Sequence, residues 1–405
     1  MLRLCNSLGK RLQIFRPANP DVVTIFTCGP SVYQRAHIGN FRTFLFEDIL
    51  VRYLRFRGYH VKRGMNFTDI EDKAVTEADK ENLTVEELTA KNIHSFLAEM
   101  SLLKMLKPDY LPRASKAIRE TVRVLDQLLE KGVAYRYGCD IYFDPLQFPG
   151  FGKIYGLDMS KWPKQKRRFS KDTYPGMRWN LGDFILWHGC TENERTYWKT
   201  KFGPGRPAWN IQDAVLVNRY FRESLSIYCG GIDNLVRHHD YSRAILESIH
   251  PYPMARYWLH CEHLFVNGQK MSKSKGNILY TNDLTTKGFS PEAIRFFLID
   301  NHYRERINYS ENSMKRAAAR LAAFRNSVNL INRRAHGSPQ GKSPKAVRLK
   351  QAFIRQMDND LNVRQAVNAI MTVLTEIEPD RLSPSEAASM ISTLWDIDRV
   401  LGILF

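Results

Sequence analysis

Cysteine is sparse in this chain, and its six residues (Cys5, Cys28, Cys139, Cys190, Cys229, Cys261) never stand in CxxC spacing. That pattern predicts no disulfide framework. No apolar run reaches about 18 residues, the length a membrane helix needs, and the N-terminus lacks a signal-peptide pattern. A cytoplasmic protein without membrane contact is expected. No internal repeat is apparent either. Acid is missing locally: Lys161 to Lys171 holds six Lys or Arg and no carboxylate, and His302 to Arg355 holds thirteen against Glu305 and Glu311. These stretches supply +6 and +11 of a net +18. Two such concentrations favour a polyanionic partner, for which RNA is the reading. With 405 residues and 43% hydrophobic content, the chain can bury a large core in two or three domains.

What is present points to phosphate chemistry. Lys270-Met271-Ser272-Lys273-Ser274-Lys275-Gly276-Asn277 is a lysine and serine run on a loop that Gly276 allows to swing. Far upstream, a strand-like Val22 to Thr27 breaks at Cys28-Gly29-Pro30 and leads into His37-Ile38-Gly39-Asn40. Attack of a carboxylate on the α-phosphate of ATP builds negative charge on phosphate oxygens, which need donors already in place. His37 and Asn40 can supply them at a helix N-terminus, where free N–H groups and the dipole favour anions. Gly39 permits close approach of the nucleotide. Lys270 and Lys273 offer mobile charges for the departing pyrophosphate, with Ser272 and Ser274 beside them.

The pattern predicts an α/β fold: a doubly wound, Rossmann-type parallel sheet with an inserted subdomain, followed by an α-helical bundle. Leu45, Ile49, Tyr53 and Phe56 recur at helical spacing, Gly58 ends that helix, and Val61 to Phe67 can form the next parallel strand. The expected division is 1–130 and 208–300 for the two halves of the catalytic domain, 131–207 for the insertion, and 301–405 for a wholly helical remainder. Ser226 to Cys229 ends at Gly230-Gly231, which should set Asp233 at the carboxyl edge of the sheet, where ligands of doubly wound folds bind.

Further segments carry a family resemblance: Cys28-Gly29-Pro30-Ser31-Val32-Tyr33, Asn66-Phe67-Thr68-Asp69-Ile70-Glu71-Asp72-Lys73, Gly205-Arg206-Pro207-Ala208-Trp209, Gly230-Gly231-Ile232-Asp233 and His238-His239. Together with the two phosphate motifs, they make the chain resemble a class I aminoacyl-tRNA synthetase, and within that class cysteinyl-tRNA synthetase. The resemblance implies ATP with magnesium, an amino acid and tRNA as reactants. It also implies that Gly230, Gly231 and Asp233 lie against the adenosine, and that Cys28, Gly29, Thr68 and Trp209 line the amino-acid pocket.

The departures bear on specificity. Cysteinyl-tRNA synthetases hold zinc with two cysteines, a histidine and a glutamate, and the metal binds the substrate thiolate. The first cysteine matches Cys28 and the histidine matches His238, but Asp213 stands for the second cysteine and Ser242 for the glutamate. Cys28, Asp213 and His238 remain candidate ligands of an incomplete site. Asp213 is expected to bring negative charge into the side-chain pocket, inviting a basic or hydroxylated group in place of a thiol. The chain also stops where the family continues into an anticodon-reading domain. Three readings follow: a synthetase acting on tRNA with an amino acid that need not be cysteine, a tRNA-independent ligase passing its adenylate to a small amine or carrier, and a non-catalytic RNA-binding paralogue.

Overall fold

The computed structural model describes all 405 residues apart from 171–178, 192–193, 236, 273–274 and 337–342. Four parallel strands form the central sheet, in the order Ala255–Cys261, Leu225–Gly231, Val23–Thr27, Val61–Met65. Every residue of Val23–Thr27 is buried. A strand covered on both faces has no polar alternation, which explains the continuous apolar run. The next strand stops at Met65, two residues short of the sequence expectation.

Helix Ile38–Phe56 follows the first strand and crosses to the second. His37 and Asn40 close its N-terminus reciprocally: His37 Nδ1 accepts from the Asn40 amide at 3.3 Å, and Asn40 Oδ1 accepts from the His37 amide at 3.0 Å. Gly58, at φ +86°, ends the helix in a left-handed turn that other residues resist. Buried charges tie the helix to its neighbours. Asp48 accepts from Arg52 and from Arg295 at 2.8 Å each, and Glu47 accepts from Arg63 at 3.1 Å. Burial alone would raise both carboxyls. Two arginines and the Leu106 amide reverse this for Asp48, whereas the single Arg63 leaves Glu47 pushed up to about 8.

Residues 134–207 build a separate, mostly antiparallel sheet in the order Ala134–Tyr137, Asp140–Phe143, Asp183–Gly189, Gly203–Pro207, Trp198–Thr200. Four helices, Glu311–Asn332, Pro344–Met357, Val363–Thr375 and Pro384–Leu401, pack near the C-terminus. The expectation of wholly helical structure beyond 300 fails at one place. Strand Ile307–Tyr309 pairs in parallel with Leu264–Val266, which pairs in turn with Gln269–Lys270. Ile307 and Tyr309 are buried around an exposed Asn308, an alternation too short to read from sequence.

The basic stretch from 302 is also less bare in three dimensions than in one. Arg304 meets Asp360, Arg306 meets Glu262, Arg320 meets Asp300, Lys345 meets Glu386 and Arg348 meets Glu376. All five acids lie outside the stretch or at its margin, so folding neutralises much of the local excess. Among the described residues no helix is long and apolar enough to cross a membrane.

Candidate active site

The carboxyl ends of the parallel strands open onto a cavity of about 260 Å³ whose walls include Cys28, Asn40, Thr68, Trp209, Asp233 and His238. A second cavity of about 980 Å³ adjoins it, sharing Tyr33, Gln34 and Lys73, and reaches His37, Met271 and Ser272 on one side and His188 and Arg206 of the inserted sheet on the other.

The phosphate motifs meet at Gly39. A Cβ built there would stand 2.5 Å from Met271 Cε, the end of a flexible side chain, and 3.0 Å from His37 Cε1, so Met271 lies directly against this glycine at the helix N-terminus. Asn277 pins that loop: its Oδ1 accepts from the Ser272 amide at 2.9 Å and its Nδ2 donates to the Lys270 carbonyl at 3.3 Å. Burial lowers the His37 pKa, so the ring is neutral near pH 7. Because Nδ1 accepts from Asn40, that neutral ring carries its proton on Nε2 as a donor. Asn40 Oδ1 is likewise occupied by His37, which frees its Nδ2 to donate. Lys270 is exposed at the end of its strand and lines neither cavity. Lys273 and Ser274 lie outside the described residues.

At the strand Leu225–Gly231, Gly231 and Asp233 line the smaller cavity. Gly230 does not. A Cβ at Gly230 would stand 2.7 Å from the ring of His239, so this glycine serves the packing of a buried imidazole pair, with His239 Nδ1 and His260 Nε2 at 2.8 Å. Ser7 Oγ lies 2.7 Å from the far nitrogen of His260.

The opposite end of the cavity is built on helix Trp209–Tyr220 and helix His238–Ile249. Trp209 stacks on His238 with ring centroids 4.5 Å apart. Thr68 Oγ1 accepts from Asn66 Nδ2, and Gly29 donates its amide to Asn66 Oδ1 at 2.8 Å. Asp213, expected in the pocket, lies behind its floor, fully buried and lining neither cavity. Its Oδ1 accepts from Asn66 at 2.7 Å; its Oδ2 accepts from Tyr228 at 2.5 Å and lies 2.9 Å from His238 Nε2. Burial works to raise the Asp213 pKa, but His238 foremost, then Tyr228 and Cys28, hold it below the ordinary carboxylate value. Burial, reinforced by Asp213, pushes the Cys28 thiol well up. Cys28, Asp213 and His238 offer ligand atoms within 4.8 Å of one another. Ser242 is fully buried one turn beyond His238.

Sequence reasoning passed over Asn66 and Tyr228, which hold Asp213, and Tyr33 and Lys73, which stand where the cavities join. Asn66 and Lys73 sit inside segments quoted for the resemblance. For Tyr228, only its place in the strand before Gly230 could have drawn notice.

Residues 14–319 match the family model described as tRNA synthetases class I (C) catalytic domain. The chain belongs to this family. It is a class I, cysteinyl-tRNA synthetase-like ligase, 35% identical over 423 residues to the cysteine–tRNA ligase of Chlamydia muridarum, covering all of this chain and 88% of that protein. The cysteine–tRNA ligase of Brachyspira hyodysenteriae is 33% identical over 92% of this chain and 79% of its own length. The synthetase fold is shared with Mycobacterium tuberculosis methionyl-tRNA synthetase in complex with methionyl-adenylate, at TM-score 0.65 and 14% identity over 95% of this chain and 90% of that one. The agnB2 LeuRS of Agrobacterium radiobacter K84, in ternary complex with tRNA and LeuAMS, aligns at TM-score 0.64 and 14% identity, covering 96% of this synthetase and 86% of that chain. Neither the small-amine ligase nor the non-catalytic paralogue draws support from these relatives.

Proposed function

We propose that this synthetase activates an amino acid with ATP, taken as its magnesium complex, and transfers the aminoacyl group to tRNA in the cytoplasm. The observation that supports the reading most is the contact of Met271 with Gly39, with Met271, Ser272 and His37 lining a cavity that adjoins the one walled by Gly231 and Asp233. In this reading His37 Nε2–H, Asn40 Nδ2–H and the first amides of helix Ile38–Phe56 receive charge that grows on the phosphate oxygens as the carboxylate attacks. Lys270 and Lys273 follow the leaving pyrophosphate, with Ser272 and Ser274 on the same loop. Gly231 and Asp233 take the adenosine side, and Cys28, Gly29, Thr68, Trp209 and His238 enclose the amino-acid side chain. We assign residues 1–130 and 208–300 to the catalytic domain, 131–207 to the insertion and 301–405 largely to the bundle.

We further propose that the side chain is selected without a resident zinc ion. Zinc needs free lone pairs on four donors in a closed tetrahedral site, or on three with an open position. Here His238 Nε2, the nitrogen beside Cys28 and Asp213, is turned onto Asp213 Oδ2, the carboxylate is also held by Asn66 and Tyr228, and Ser242 offers only a hydroxyl where the family has glutamate. These residues do not fit the family's zinc. Cys28 and His238 then present a thiol and an imidazole to the substrate, and Asp213 acts through His238, not by direct contact. Discrimination between cysteine and serine should weaken accordingly. An ATP–pyrophosphate exchange screen over the standard amino acids, with and without total tRNA, tests the reading. Exchange with one or a few amino acids and acylation of tRNA is expected; absence of exchange with every amino acid would overturn it.

A further inference from the structure

A cavity of about 520 Å³ lies at the other end of helix Ile38–Phe56, roughly 25 Å from His37 at 1.5 Å per residue. Three helices meet there. The first contributes Arg52, Arg55 and Phe56, helix Pro344–Met357 contributes Lys350, and helix Pro384–Leu401 contributes Arg399. Asp396 is the one carboxylate among the lining residues.

The cations differ in how firmly they are held. Arg52 is spent: it donates to Asp48 at 2.8 Å and to the carbonyls of Arg399 and Lys104. Arg55 is held loosely, with Asp109 at 3.9 Å and a long hydrogen bond to the Val61 carbonyl at 3.4 Å. Lys350 has no carboxylate partner among the described residues, and its ammonium stands 5.5 Å from the centre of the Phe56 ring. The Arg399 side chain is 80% exposed and, among the described residues, meets only Asp396, at 3.3 Å. A helix C-terminus accounts for a cation in its last turn, and Arg55 and Arg399 both stand in one. It does not account for their convergence with Lys350, from the middle of a third helix, on a cavity with an aromatic wall. One turn before Arg399, on the same helix face and at the margin of the cavity, Trp395 is 51% exposed, with one face of its ring stacked on Phe405 at 3.9 Å between centroids.

Charge, ring and space are combined as a nucleotide requires. Two or three mobile cations suit a phosphate ester, and Phe56, with the face of Trp395 that Phe405 leaves uncovered, offers planar surface for a base. We propose that this cavity binds a nucleotide unit, phosphate on Lys350, Arg55 and Arg399 with the base on the aromatic side, as a site separate from the adenylate pocket. The site stands independently of the catalytic assignment above. Its ligand comes from one of two sources sharing that chemistry, a free mononucleotide or a segment of single-stranded RNA.

The test is a calorimetric titration of the full chain with UMP and with a 5′-phosphorylated uridine tetranucleotide, the catalytic pocket being filled with α,β-methylene-ATP. Wild type should bind at least one of them, and Lys350→Ala with Arg399→Ala should weaken that binding by about tenfold or more. The pair Lys350→Arg with Arg399→Lys should hold affinity within about threefold, because charge is kept. ATP–pyrophosphate exchange should stay at the wild-type level in both, which also reports that they fold. Equal affinity for both probes identifies a free nucleotide; tighter, salt-sensitive binding of the tetranucleotide identifies RNA. No binding by wild type, or unchanged binding by the alanine pair, overturns the proposal.

Discussion

At the end of the cavity assigned above to phosphate, the described residues leave two donors open. His37 and Asn40 satisfy one another through Nδ1 and Oδ1, and His37 Nε2–H and Asn40 Nδ2–H have no partner among the described residues. At the side-chain end the economy runs the other way, with Asn66, Tyr228 and His238 all closed on one buried carboxylate. The first arrangement waits for an anion; the second has already found its charge. Phosphate handling is common to every adenylate-forming member of a class I family, so that end is constrained by chemistry the family shares. Side-chain selection is constrained only by the substrate. On the reading proposed above, the Asp213 network is a change of specificity device, and the phosphate end is expected to work as in the rest of the family.

The largest effect should come from the open end. His37→Ala and Lys273→Ala should each reduce ATP–pyrophosphate exchange by about 10²-fold or more, since each removes a donor to charge that appears only in the transition state. The amino-acid KM should move far less. If both variants exchange at the wild-type rate, the phosphate end is wrongly placed.

The closed end is probed by rebuilding it. Asp213→Cys combined with Ser242→Glu restores a cysteine and a carboxylate beside Cys28 and His238, a donor set zinc accepts. Elemental analysis should find well under one zinc per chain in wild type and a clear rise in the double variant, together with a gain in cysteine over serine in exchange. Stoichiometric zinc in wild type would remove the contrast between the two ends.

Tyr228→Phe asks a smaller question. It deletes one of three donors to a carboxylate that cannot reach water, at a cost of about 1–3 kcal/mol. The unfolding midpoint should fall by a few degrees. The amino-acid KM should rise more than the ATP KM, because Asp213 positions His238 on the side-chain side only. Equal shifts in both would mean that the network supports the whole cavity and not one end of it.

Much of this contrast was legible before any coordinates. His37, Gly39, Asn40 and the 270–277 run are short motifs whose residue types follow from phosphate chemistry, and the strand, turn and helix around the first are local. Val23–Thr27 shows itself in the sequence because both its faces are covered, whereas Val61–Met65, with Lys62 and Arg63, is legible mainly from its place after the helix. Asp213 shows where such reading stops. Its substitution for a ligand was visible, but its burial behind His238 depends on Asn66 and Tyr228, 147 and 15 residues away in the chain. The charge run from 302 is read only in part, because Asp360, Glu376 and Glu386 reach back from beyond the stretch and pair with some of its cations. Strand Ile307–Tyr309 fails because three residues carry no periodicity.

The smallest expected effect concerns what supports the side proposed above for adenosine. His260 pairs across the sheet with Gly230, and burial pushes its pKa down to about 3 from an ordinary 6.5. Its neutral ring is flanked by Ser7 Oγ and His239 Nδ1, with no carboxylate among those partners to stabilise a charge. A folded-state pKa below the unfolded one means that the unfolded chain binds the proton more readily on acidification. The stabilisation is fully present above about pH 6.5 and is lost progressively as pH falls toward 3. Thermal unfolding followed from pH 7.5 to 5 should show a declining midpoint, and His260→Asn, which cannot charge, should flatten that decline even if it lowers the midpoint at pH 7.5. The side-chain end offers a control in Tyr228→Phe, which removes no group that titrates in this range and should shift the curve without changing its slope. An identical slope in His260→Asn and wild type would show that the proton is taken up elsewhere.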